Sequence, residues 1–194
     1  MFNAKDINKQ LKQTIEDFKN TYKATCKKSH DDYLKQFGGG ARVYIPKDTE
    51  ICTKEAREAF QNECVAYRHK IAEILKPVYA DLETTATEAP TTDAVNAISM
   101  LQLRQNVTPA EIEMMIGRYG SNVSAYNALV SIAEKNNIYS YQQHPITDNI
   151  AAVQNLEECL CRNINAPKIV SNGFSDGLAA TLALAVDNTI QPGD

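Results

Sequence analysis

Residues 7–37 read INKQLKQTIEDFKNTYKATCKKSHDDYLKQF, and their spacing decides the fold. Apolar or semi-apolar positions fall at Ile7, Leu11, Ile15, Phe18, Tyr22, Cys26, His30, Tyr33 and Phe37, eight steps over thirty residues with a mean of 3.75. That period is helical; a strand would alternate every two residues. Lys5, Lys9, Lys12, Glu16, Lys19, Lys23, Lys27 and Lys28 occupy the remaining faces. About 36 residues rising 1.5 Å each make a rod of roughly 54 Å. Such a rod buries one narrow stripe, and its stability comes from whatever covers that stripe.

Gly38, Gly39 and Gly40 end the rod, because three consecutive glycines carry too much backbone entropy to continue a helix. Residues 38–47 read as a connector in which Val43 and Ile45 alternate in strand fashion and Pro46 closes the segment. A second long helix follows, capped at Asp48 or Thr49, with the stripe Cys52, Ala56, Phe60, Cys64, Tyr67, Ile71, Ile74, Val78 and Leu82. Its mean step is again 3.75. Two helices of equal period joined by a short break make a long antiparallel hairpin over residues 1–82.

Residues 83–92, ETTATEAPTT, hold five threonines, a proline and no large apolar side chain, the composition of a linker. Residues 93–194 then read as a compact helical bundle. Asp93 can cap its first helix. Thr108-Pro109-Ala110-Glu111 is a capping box with proline at the first helical position. Ser121 or Asn122 opens the next helix, which Asn136 and Asn137 end, and Thr147 or Asp148 opens another. Residues 177–186, GLAATLALAV, are apolar nearly all round and too short to span a bilayer. They read as a central core helix, or failing that as an oligomer contact. The fold class is all-α.

Composition narrows the functional classes. Of 194 residues 43% are apolar and 23% charged, and the formal net charge of −4 argues against a nucleic-acid partner. No apolar run reaches about 18 residues, so no membrane span is expected. Five cysteines, an odd number, do not make a disulfide framework, and the start MFNAKDINKQLKQ has no apolar signal region. A reducing cytoplasm is the expected setting. Charge is divided along the chain: residues 1–86 hold fifteen Lys/Arg against thirteen Asp/Glu, and residues 87–194 five against eleven.

Signatures of chemistry are missing. Cys159 and Cys161 are two apart, so on a helix they point about 200° away from one another and cannot grip one ion. The glycine triplet has no GK[ST] ending. His30, His69 and His144 are far apart in sequence, and no GxSxG or HExxH motif occurs. The sequence implies no catalytic residue, cofactor, metal or small-molecule substrate. Residues 108–136 are helix, short turn, helix, which invites comparison with a DNA reader; the second helix offers Asn122, Ser124 and Asn127 but only Lys135 as a cation.

The stretch TPAEIEMMIGRYGSNVSAYNALVSIAEKNN resembles the closing helical segment of small structural or assembly proteins of phages and prophages of low-GC Gram-positive bacteria. Thr108, Pro109, Glu111, Tyr119, Asn122, Ala128, Leu129 and Ala133 carry the likeness, which covers about thirty residues and transfers no catalytic role. The resemblance implies a non-enzymatic structural, scaffold-like or adaptor protein acting through protein–protein contacts. The alternative is a DNA-associated regulator using residues 108–136. An isolated two-helix arm leaves apolar surface bare, so self-association through Leu11, Ile15, Phe18, Tyr22, Phe60, Tyr67 and Ile71 is expected, two hairpins making a four-helix arrangement.

Overall fold

The computed structural model describes residues 2–37, 51, 53–138, 141, 144–164 and 174–191. These residues form seven helices and no strand: α1 (Ala4–Phe37), α2 (Lys54–Thr87), α3 (Thr92–Gln102), α4 (Pro109–Tyr119), α5 (Val123–Lys135), α6 (Pro145–Asn163) and α7 (Asp176–Thr189). The all-α class is as the periodicity requires. The expected connector at 38–47, the expected cap at Asp48 or Thr49, and Cys52 lie outside the described residues. The helix itself starts at Lys54, where the Thr53 hydroxyl accepts from the Ala56 N–H at 3.3 Å.

The chain divides into two compact units, residues 1–77 with 153–194, and residues 78–152. These bounds differ from the expected 1–82 and 93–194. In the first unit α1 and α2 run antiparallel. Ser29 Oγ accepts from the Thr53 N–H, the Tyr22 and Phe60 rings meet at 5.6 Å, the Thr21 and Tyr67 hydroxyls are 2.9 Å apart, and Lys70 faces Asp17. The C-terminal helix then returns to the N-terminal one. Lys23 and Lys19 meet Asp176, Lys12 meets Asp187, and Asn8 donates to the Ile190 carbonyl, so α7 lies antiparallel on α1. Ala179, Leu182 and Val186 are the buried face of α7, and its small side chains allow close approach. Val153, Leu156, Leu160 and Ile164 add the buried stripe of the second half of α6.

The second unit centres on α5, which packs against both α3 and α4. Ala94, Ile98, Leu101, Val107, Ile112, Ala125, Leu129, Ile132 and Ala133 form its core. Its boundaries are set by caps. The Thr108 hydroxyl and Glu111 carboxylate bond reciprocally across the first turn of α4, and Asn122 Oδ1 accepts from the Ala125 N–H to open α5. At the end of α5, Asn137 takes a φ of 58° and the Ile138 N–H reaches back to the Ala133 carbonyl, a left-handed C-terminal stop. Gly120 caps α4 where a Cβ would come within 2.4 Å of the Ile116 carbonyl oxygen.

Three local expectations are corrected. The segment 83–92 is not wholly a linker, because α2 runs to Thr87. Its threonine hydroxyls bond back into the helix, Thr84 to Ala80, Thr85 to Asp81 and Thr87 to Glu83. Thr91 rather than Asp93 caps α3. Helix α6 begins before Thr147. His144 precedes it and its ring Nδ1 accepts from the Ile146 N–H at 3.2 Å, while Nε2 lies 2.9 Å from the Gly120 carbonyl and must donate to it. The Tyr126 ring meets this imidazole edge-on at 5.2 Å.

Candidate interaction surfaces

The seven residues expected to meet a second chain are used within this one. Leu11, Ile15, Phe18, Tyr22, Phe60 and Ile71 are buried, and Tyr67 is half-buried with its hydroxyl bonded to Thr21. Phe18 is their centre, touching Phe60 at 5.6 Å, Tyr67 at 5.2 Å and Phe174 at 4.8 Å between ring centroids. The stripe does face protein, as its period demands. The cover comes from helices of the same chain, so the six buried side chains offer no surface to a partner.

The lysines of α1 occupy the next face. With α7 they line an open groove of about 760 Å³. One wall carries Lys5, Lys9, Lys12 and Lys19, and Ala180 and Ala183 of α7 form much of the other. Lys12 is paired with Asp187 at 2.6 Å, and Asp176 takes both Lys19 and Lys23. The ammonium groups of Lys23 and then Lys19 hold the Asp176 carboxyl below its usual range, and the hydrogen bond that Lys19 donates to Glu16 raises Lys19. Among the described residues, Lys5 and Lys9 have no carboxylate within ion-pair distance and stand in solvent. The groove is therefore cationic at one end, neutralised at the other, and smooth along its alanine wall. Leu184, one turn after Ala180, is 60% exposed.

A second surface belongs to the other unit. Helix α3 buries Ala94, Ile98 and Leu101, yet Val95, Met100 and Leu103 are 46%, 68% and 82% exposed. At 100° per residue the exposed three are centred opposite the buried three. Met114 on α4 is a further exposed apolar side chain in this unit. Residues 88–103 hold Glu88 and Asp93 and no Lys or Arg.

The remaining motifs are absorbed by structure. Helices α4 and α5 form the expected helix–turn–helix, but Asn122 is spent on the α5 cap and on the Glu88 carbonyl. Cys159 is exposed and Cys161 half-buried, and burial raises the Cys161 thiol. Among the described residues no group of three His, Cys, Asp or Glu side chains is placed to hold a metal, and no helix is long and apolar enough to cross a membrane.

No family model, curated protein or solved structure matches the chain. The groove was the surface that periodicity missed. Its one sequence signal is the lysine row at 5, 9, 12, 19 and 23, which shares a face of α1 next to the apolar stripe.

Proposed function

We propose that this protein is a non-enzymatic structural component, a scaffold or adaptor working through protein–protein contacts and encoded by a phage or prophage. The outer face of α3 carries the reading. Three large apolar side chains stand in solvent opposite a complete buried stripe, with the small polar Asn96 and Ser99 between them, and grouped exposed apolar side chains mark an interaction site. The phage context rests on the likeness of residues 108–137 to small assembly proteins of that kind. A cytoplasmic setting, with incorporation into particles, follows from it.

The alternative, a DNA-associated regulator, has less support. Residues 78–152, which include the helix–turn–helix, hold three Lys/Arg against eight Asp/Glu, and phosphate contacts need the opposite balance.

Quantitative mass spectrometry of purified particles, made with and without this chain, tests the proposal. A structural component is present in fixed copy number, and its loss leaves particles malformed or unassembled. Normal particles that contain only traces of the chain would reject it.

A further inference from the structure

We propose that the outer face of α3 in one chain docks into the α1–α7 groove of a second copy. The proposal rests on the structural-protein reading and names the surfaces through which copies meet.

Each surface supplies what the other lacks. The outer face of α3 sets Val95, Met100 and Leu103 among the small exposed side chains of Asn96 and Ser99; Glu88 and Asp93 stand before and within its first turn, and Arg104, which follows Leu103, is paired with Glu111. The groove offers Ala180 and Ala183 as a low wall, and the exposed Leu184 follows Ala183 on α7. At its open end stand the bare ammonium groups of Lys5 and Lys9. Alanines let a third helix approach closely, as helix packing at about 8–10 Å requires. The eleven residues of α3 span roughly 16 Å, and the groove from Lys5 to Lys19 roughly 21 Å, so the helix fits along it. The unit that carries α3 holds an excess of five carboxylates, which draws it to the lysine end.

The two surfaces differ, so the contact is heterologous. Copies join head to tail until a ring closes or a filament grows. One helix in one groove is a small contact, below the size of stable interfaces, and assembly is accordingly weak and concentration-dependent.

Sedimentation velocity on the full chain, over a range of concentrations and at low and high salt, tests the docking. The expected mass rises above 21.5 kDa with concentration and falls back in high salt. Leu103→Asp removes one surface, and Lys5→Glu with Lys9→Glu removes the other. Each variant associates at least about tenfold more weakly than the parent, a loss typical of a hot-spot change. All three residues are exposed, and unchanged circular dichroism confirms that folding is intact. Mixing the two variants restores pairing, because each retains the surface the other has lost, and growth stops at the dimer.

A 21.5 kDa species at every concentration overturns the docking, whether the α3 face stays bare or is covered by the same chain. Association that survives in both variants, or variants that fail to pair when mixed, overturns it as well. None of these results touches the particle test, which alone decides the structural reading.

Discussion

The side-chain amide of Asn8 donates to the carbonyl of Ile190 at 2.9 Å, across 182 residues of sequence. With Lys12–Asp187 and Lys19–Asp176 it sets the register of α7 on α1. Polar contacts this exposed contribute little to stability themselves. Their role is alignment, and the energy lies beneath them in Leu11, Ile15, Phe18, Leu182 and Val186, each worth about 1.5–3 kcal/mol when fully buried.

Phe18→Ala should therefore affect both partners of α1 together. Its ring contacts α2 through Phe60 and Tyr67 and reaches Phe174 at the start of α7. The expected cost is about 3–5 kcal/mol, a large fraction of a typical domain's stability. Urea unfolding followed by circular dichroism measures it. Shortening the chain before Phe174 should lower the midpoint similarly, because it uncovers the same stripe. A midpoint unchanged by either alteration would mean α7 contributes nothing to this core.

Limited proteolysis between α2 and α3 gives a second expectation. Residues 88–91 are non-helical. A cut there separates α1 from α7 in sequence, but the two pieces share the buried stripe. The nicked protein should elute as one species under native conditions and fall into two fragments only in denaturant. Release of a free C-terminal fragment in native buffer would contradict the α1–α7 pairing.

What the sequence made legible was what a few neighbouring residues determine. The α1 period, the Thr108–Glu111 box and the Asn136–Asn137 stop each depend on contacts within one or two turns, and each stands where the pattern put it. The α7 partner was not legible, since an all-round apolar ten-residue run specifies burial without saying against what. The bundle expected from contiguous sequence thus lost its last helices to the N-terminal unit. Similarly, threonines that suggested a linker extended α2 because their hydroxyls could bond inward. The capping role of His144 was not legible, because a ring nitrogen is an uncommon helix cap. Of the seven expected interface residues six are covered within the chain, for one reason: a stripe shows that something covers it, and periodicity cannot tell self from partner.

The cysteines should separate by burial when treated with a thiol-alkylating reagent. Cys64 is 1% exposed, and burial pushes its thiol up to about 11, which leaves little thiolate at neutral pH. Cys26 is equally enclosed. Cys159 is exposed and should react first, with Cys26 and Cys64 reacting only as the protein unfolds. Peptide mapping by mass spectrometry reads the order. Equal rates for Cys159 and Cys64 in native buffer would show that the α1–α2 core opens freely.

Glu111 should make the second unit sensitive to acid. Its carboxylate accepts from the Thr108 N–H and hydroxyl and meets Arg104, and these bonds lower it from an ordinary value of 4.5 to about 2, the Thr108 backbone being the largest cause. A depressed carboxyl stabilises the fold where it is charged in both states. That contribution is complete above about 4.5 and disappears as pH falls through 4.5 towards 2. Glu111→Gln retains an acceptor but no charge, so its stability should fall less steeply over this window than that of the parent. Thr108→Ala removes the reciprocal half of the box and should cost about 1 kcal/mol at neutral pH. It should change the acid limb much less than Glu111→Gln does, because the Thr108 N–H and Arg104, the two largest causes of the lowered carboxyl, remain in place. Urea midpoints measured at several pH values between 2 and 6 check both variants. Parallel curves for parent and Glu111→Gln would show that the box closes α4 without its charge.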